Sequence, residues 1–442
     1  MSNHPNEPST SNDQESPAKE PADVKVTWQP TAAEMGFLQT SDVEAKNRVH
    51  LGNWTEGAPV RWSFQNACQI VPSAEIYRGP GKPTPFKEAP VELNQLAFTT
   101  YSEEEITIEQ MLAQTYTDGL LVLHQGKLVN EQYFNGLQPH SKHLLQSVTK
   151  SLVGTLACVL MEQKQLNPDK LVEDYVPELG HSGYGDATVR QVLDMTTSIL
   201  YQENYGVVSE LTMHEASAGW RPRTGQLEGL PESQALFLQS LRKEPGHKHG
   251  ERFAYISCNT DVLGWVMERA TGERLPKLFS DLIWSHLGAE ENCHMLVDSW
   301  GLSAASGGMN ATMRDLGRFG QMLLQGGTYN GHQFLKESTI KDIRTGGSRN
   351  LWKRGDGSGI GYLIPKGSYR NQWWVSDFDS KAFYAIGIHG QHIYIAPEAE
   401  VVIIKVSSQP NAITPEFTQN TLYGFEAIVK HLAEKGGRAL FG

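Results

Sequence analysis

The sequence predicts an α+β fold, with a central antiparallel sheet flanked by helices and a mainly helical inserted region. Three observations carry this. Apolar, β-branched runs stand in two places far apart in the chain, at 119–134 and at 382–408. Between them, from about 170 to 300, apolar residues recur at helical spacing and helix stops punctuate the pattern. No internal repeat is visible. Strand regions on either side of a helical middle argue for one sheet assembled from both ends of the chain.

The elements follow in order. Residues 1–25, rich in Pro, Ser, Asn and Glu, read as a disordered tail. Residues 26–104 carry Pro and Gly punctuation with aromatic anchors such as Trp54 and Trp62, and read as an extension packed on the main body, a domain over 105–435. A helix is expected near 106–116. Gln125-Gly126 between two β-rich runs signals a hairpin. The run HLLQSVTKSLVGTLACVL then starts an apolar helix, closed by the turn residues Asn167-Pro168-Asp169. Thr188 is a plausible N-cap for a helix to about Ser198, and Gly272 a stop for one beginning near Asp261. Strands over 382–388, 392–396 and 401–408 precede a closing helix over 414–435.

Composition narrows the function. The 442 residues carry a net charge of −12 and no basic run, which argues against nucleic acid as a partner. No stretch approaches 18 uninterrupted apolar residues, so a membrane span is not expected. The N-terminus has neither the basic nor the apolar region of a secretory signal, and the four cysteines are widely spaced. The expectation is a cytoplasmic protein with reduced thiols. No metal or organic cofactor is implied, and a homodimer stays open.

Ser147-Val148-Thr149-Lys150 is the most informative feature. Positions i and i+3 share a helix face, so Ser Oγ and Lys Nζ can meet. A serine hydroxyl needs a proton acceptor, and a lysine desolvated by apolar neighbours can be one. The spacing recurs at Ser16/Lys19, Ser240/Lys243 and Ser338/Lys341, in tail, polar loop and charged helix, where nothing desolvates the amine. Around Ser147 stand Leu144, Leu145, Val148, Leu152 and Leu156. Its place at a helix N-terminus also favours developing negative charge.

Two further segments offer partners. Phe253-Ala-Tyr255-Ile-Ser257 puts a tyrosine and a short polar residue ahead of a helix, and a tyrosinate near a lysine could take and return a proton. Gly387-Ile388-His389-Gly390-Gln391 opens a strand pair whose edge could aim a backbone N–H at a carbonyl, completing an oxyanion hole with the N–H of Ser147. Rivals are weaker. No serine has the glycines of a G-x-S-x-G elbow, and the histidines at 247, 249, 389 and 392 lack zinc-motif spacing.

The order of SxxK, Tyr-x-Ser, GGMNAT…DLGRFG and a glycine-bearing strand resembles the serine hydrolases related to β-lactamases and penicillin-binding proteins, nearest to the 6-aminohexanoate-dimer (nylon-oligomer) hydrolases and carboxylesterase-like relatives. The resemblance spans about 110–410 and implies a β-lactamase/transpeptidase-like fold acting on a small-molecule amide or ester. Ser147 would be the acylated nucleophile, Lys150 and Tyr255 the proton-transfer pair, and the N–H groups of Ser147 and Ile388 the oxyanion hole. Ser257, Tyr205, Trp374 and His389 would bind or close over substrate, and Glu215 would take a substrate ammonium. There are departures: Ser306 stands where the family uses Asn, Asn411-Ala412-Ile413 replace acidic residues, and Ala385-Ile386-Gly387 replaces Lys-Thr-Gly. They weigh against penicillin turnover and efficient aminohexanoate-dimer cleavage. Two alternatives stand beside amide hydrolysis: a carboxylesterase preferring short-chain esters, and a non-catalytic binding protein on the same fold.

Overall fold

The structure, a computed structural model, describes residues 26–205, 207–355, 361–364 and 366–437. The expected tail, with its Ser16/Lys19 pair, lies outside the described residues. The expected sheet is present with eight strands in the order Ser368–Arg370, Trp373–Val375, Phe383–Gly387, Gln391–Ala396, Val401–Ser407, Thr117–His124, Lys127–Tyr133 and Lys87–Glu88. The two parts of the chain join where Val401–Ser407 pairs antiparallel with Thr117–His124. One pairing departs from the antiparallel expectation: the two-residue edge Lys87–Glu88 runs parallel to Lys127–Tyr133. A second sheet, not foreseen, orders Ser73–Ile76, Cys293–Leu296, Met309–Ala311 and His143–Leu144. Residues of the 26–104 stretch thus add strands to both sheets.

Local sequence explains the elements. Gln125 and Gly126 both take positive φ (51° and 72°), the two-residue turn whose twist suits a hairpin. Thr107 caps the helix Ile108–Gln114 by accepting from the Gln110 N–H, and the Gln110 side chain caps back. Gly272, at φ 76°, ends the helix Ser257–Thr271 as expected. The helix after Thr188 is shorter than expected, Val189–Leu193, because the chain turns at Met195 (φ 52°).

Alternation along the central strands gives the sheet two buried faces. Leu121, Leu123, Val402 and Ile404 pack with Leu152, Leu156 and Phe319 from the helices Val148–Glu162 and Met313–Leu324. Leu120, Val122 and Ile403 pack with Leu422, Phe425 and Ile428 from Pro415–Lys435. Double coverage explains why these strands read as continuous apolar runs. Truncating Phe425 to alanine would cost about 3–5 kcal/mol.

The helix behind Ser147 is held tightly to the sheet. A Cβ on Gly154 would lie 2.2 Å from the Asn371 carbonyl oxygen, so only glycine permits this approach. Ser151 Oγ donates to the Gln372 carbonyl at 2.6 Å, and Trp373 Nε1 to Thr155 Oγ1 at 3.1 Å. These contacts fix the height at which the helix N-terminus meets the sheet.

Candidate active site

Ser147 sits as N-cap of the helix Val148–Glu162, directly after Gln146, whose φ of 47° is unusual for a residue with a side chain. Such strain persists where the surroundings over-determine it and is common beside reactive groups. Leu145 upstream donates its N–H to the Met309 carbonyl at 2.9 Å, tying this turn to the second sheet. The serine is half-buried while Lys150, one turn on, is 1% exposed.

Lys150 Nζ donates to Ser147 Oγ at 2.9 Å and to the Ser306 carbonyl at 2.7 Å. Burial pulls its pKa down to about 8, against opposing charges on Glu203 and Asp261. Tyr255 hydrogen-bonds Ser147, and its ring lies under the amine, 5.2 Å from centroid to Nζ. Burial pushes the Tyr255 hydroxyl well above its ordinary range. Burial thus draws the lysine toward its neutral form and favours the protonated phenol, the reverse of the expected tyrosinate beside a cationic lysine.

Ser257 begins the helix that follows Tyr255. Its N–H donates to Glu203 Oε2 at 3.0 Å and its Oγ to Oε1 at 2.5 Å, while the Tyr205 hydroxyl also reaches Oε1 at 3.1 Å. A carboxylate on a helix N-terminus is well placed electrostatically. The strand Phe383–Gly387 arrives from the other side. A Cβ on Gly387 would lie 3.1 Å from the Ser147 nitrogen and 2.6 Å from the Leu145 carbonyl oxygen. The glycine brings Ile388 to the wall that also holds Ser147.

The space in front of these groups has two parts. A chamber of about 40 Å³ is lined by Ser147, Lys150, Ser257, Ser306 and Ile388 among others. It opens, past Gln146, Tyr205, Glu215 and Ile388, toward a cleft of about 840 Å³ that Glu56, Arg221 and Tyr362 also line. The chamber, not the larger cleft, holds Ser147 and Lys150.

Other expected residues play different parts. Glu215 lines the chamber but is already paired: Arg221 Nε donates to it, and Arg221 Nη1 reaches Glu56 at 2.7 Å. Burial raises the Glu215 pKa despite that guanidinium. Trp374 does not face the cleft. It is 1% exposed and stacks on the Tyr255 ring, centroids 5.1 Å apart, so it braces that tyrosine. His389 lines the cleft, yet its Nδ1 is bonded to the Gln409 carbonyl at 2.6 Å, and burial lowers its pKa to about 4. Ser306 reaches Lys150 through its carbonyl, while its side chain hydrogen-bonds Asp261. Of the rival Ser-x-x-Lys pairs, Ser240 Oγ bonds the Phe237 carbonyl at 2.6 Å and Lys243 pairs with Asp186, while Ser338 and Lys341 are exposed.

Sequence reasoning missed Glu203, Arg221, His214 and Asp261. Only Asp261 left a signal, a charged residue directly ahead of the apolar run Val262 to Met267 in its helix.

Residues 105–427 match the Beta-lactamase family model. The chain belongs to the beta-lactamase family. It is 38% identical over 366 residues to the 6-aminohexanoate-dimer hydrolase of Paenarthrobacter ureafaciens, covering 82% of this chain and 89% of that one. A solved structure provisionally assigned as a 6-aminohexanoate-dimer hydrolase from Bacillus anthracis superposes with a TM-score of 0.81 at 29% identity, over 89% of this chain and 99% of that one. The octameric penicillin-binding protein homologue from Pyrococcus abyssi shares the fold, with a TM-score of 0.55 at 17% identity over 75% and 76% of the two chains. The beta-lactamase family member described here is therefore a hydrolase on that fold. Among the described residues no helix is long and apolar enough to cross a membrane.

Proposed function

We propose that this beta-lactamase family hydrolase cleaves linear amide or ester bonds of small molecules through an acyl-enzyme on Ser147, as an amidase or carboxylesterase. One observation carries the reading: a buried lysine, with its pKa lowered to about 8, donates to the hydroxyl of Ser147, which also bonds Tyr255.

In the free enzyme the neutral fraction of Lys150, roughly a tenth at pH 7, accepts the Ser147 proton. The hydroxyl oxygen then attacks the substrate carbonyl carbon. The Ser147 and Ile388 N–H groups stabilise the oxyanion, helped by the helix N-terminus. The Tyr255 hydroxyl passes its proton to the leaving amine or alkoxide and recovers one from the Lys150 ammonium. The C–N or C–O bond breaks, and water then releases the acyl group by the reverse proton path. Tyr205, Ser257 and Glu203 form the wall against which the substrate lies.

The 38% identity to the Paenarthrobacter hydrolase supports an aminohexanoate-dimer-like amide as one substrate. A preference for short-chain esters is the second reading. It is favoured by Glu215, whose carboxylate is occupied by Arg221 and so less available to a substrate ammonium. The deciding experiment is turnover of p-nitrophenyl butyrate, the linear aminohexanoate dimer, a D-amino-acid amide and a cephalosporin by wild type and Ser147→Ala. Equal rates in the two proteins would defeat the acyl-enzyme reading and leave a binding protein on this fold.

A further inference from the structure

Behind Lys150 a chain of polar contacts runs away from the substrate side. The Ser306 carbonyl accepts from Lys150 Nζ at 2.7 Å, and the N–H of the same residue donates to Asp261 Oδ1 at 2.9 Å. The other carboxylate oxygen, Oδ2, faces His214 Nε2 at 3.6 Å. Both of those atoms are buried, neither has a hydrogen-bond partner among the described residues, and the Ser306 hydroxyl adds a contact to the same carboxylate. Asp261 is 1% exposed, His214 4%. His214 is held in place by its ring stacking on Phe237, centroids 5.5 Å apart.

A carboxylate in this position is costly unless it is used. Asp261 lies one turn into the helix Ser257–Thr271, where an apolar residue would pack without that cost. One of its oxygens grips the peptide that presents the Ser306 carbonyl to the amine. We propose that Asp261, backed by His214, is a positioning residue for the reaction: it fixes the Ser306 peptide so that its carbonyl aims Lys150 Nζ at Ser147 Oγ, and its charge sets how readily that amine gives up a proton. The inference rests on the acyl-enzyme reading of Ser147.

The groups facing Lys150 are few. Glu203 approaches from the 201–205 segment, Cys258 and Asp261 from the helix Ser257–Thr271, and the neutral Tyr255 ring lies under the amine. Glu203 and Asp261 both favour the ammonium form, opposing burial. Removing the Asp261 charge therefore moves the Lys150 titration to lower pH.

The test is the pH dependence of kcat and kcat/KM for a p-nitrophenyl ester, with active sites counted by the acylation burst. Asp261→Asn keeps an oxygen for the Ser306 N–H and loses the charge. Its acid limb is expected to move down by about 0.5–1 pH unit, with KM changed less than kcat. Asp261→Ala loses the oxygen as well, and its plateau kcat is expected to fall by about 10–100-fold per burst-active site. If either Asp261 variant fails to fold, His214→Phe probes the same link from its far end. Loss of the imidazole raises the proton affinity of Asp261 and should move the limb in the same direction, by less. A purely structural Asp261 would lower the yield of burst-active enzyme and leave the limb in place, and that result would overturn the proposal. Undiminished turnover by Ser147→Ala would instead defeat the underlying acyl-enzyme reading, whatever the Asp261 variants do.

Discussion

Lys150 Nζ lies 2.9 Å from Ser147 Oγ and makes its other hydrogen bond, 2.7 Å, to the peptide carbonyl of Ser306. Neither of these partners carries a charge. The amine is thus buried between a hydroxyl and a carbonyl, which satisfies its hydrogen bonds, while Glu203 and Asp261 offset the burial of its proton only in part. Proton release from such an amine is easier than from a solvated or carboxylate-paired lysine. This separates Lys150 from Lys243, whose amine pairs with Asp186.

The first expectation concerns pH. If neutral Lys150 is the base, kcat/KM rises about tenfold per pH unit at acid pH and levels off above a pKa of about 8. Tyr255, pushed upward, contributes no limb in the working range. Rates with p-nitrophenyl butyrate between pH 5.5 and 9.5, corrected for spontaneous hydrolysis, give the profile. A flat profile from 5.5 to 8.5 would remove Lys150 from the base role.

Substitution divides the roles. Lys150→Met, close in volume, should lower the acylation rate by about 10²–10⁴-fold with little loss of stability, because a buried amine is exchanged for an apolar chain. Tyr255→Phe keeps the stack on Trp374 and loses only the hydroxyl. It should slow leaving-group departure more for amides than for p-nitrophenyl esters, whose leaving group needs little proton assistance. Stopped-flow burst amplitudes distinguish the two steps, and an unaltered burst in Lys150→Met would contradict the assignment.

Much of this was legible in the sequence, for physical reasons. The strands flanking the Gln125-Gly126 turn, the three C-terminal strands and the Thr188 and Gly272 helix limits are set by local rules, and they hold. Ser147 and Lys150 were legible because helical spacing and flanking leucines are local properties too. Glu203 was not. It belongs to the site because an irregular segment carries it to the N-terminus of a helix 54 residues later, and no periodicity encodes such a meeting. The aromatic character of Trp374 was visible, but its side of the sheet depends on strand register. Glu215 read as a free carboxylate because Arg221, only six residues on, carries no mark of pairing until the chain folds.

Gly387 offers a test of the oxyanion wall. An added methyl would lie 2.6 Å from the Leu145 carbonyl oxygen, closer than real contacts allow, and 3.1 Å from the Ser147 nitrogen. The strand end must then retreat from Ser147, taking the Ile388 N–H with it. Gly387→Ala should therefore lose about 10²–10³-fold in kcat, the scale of one lost oxyanion donor. Its melting temperature should fall less than that of Gly154→Ala, whose methyl meets the Asn371 carbonyl oxygen at 2.2 Å in the middle of helix–sheet packing. Assays and melting curves on the two variants read both quantities, and full activity in folded Gly387→Ala would refute the oxyanion assignment.

The last expectation is about stability and involves a second buried amine. Lys405, in the central strand Val401–Ser407, is 0% exposed and donates to Ser407 Oγ at 2.6 Å. Burial lowers its pKa from 10.5 to about 7, with Asp118 opposing. Between those values the unfolded chain binds more protons than the folded one, so stability rises with pH across the window, and the cost is fully present below pH 7. The gain from pH 7 to 9 attributable to Lys405 is about 2 kcal/mol. Lys150, lowered to about 8, adds a smaller rise of the same sign. Replacing Lys405 with Met exchanges one hydrogen bond for an apolar chain of similar volume. The variant should be more stable at pH 7 by about 1–3 kcal/mol and lose most of the pH dependence. Urea unfolding of both proteins at pH 7 and 9 measures this. An equal rise in the two would mean that Lys405 is not the group titrating in that window.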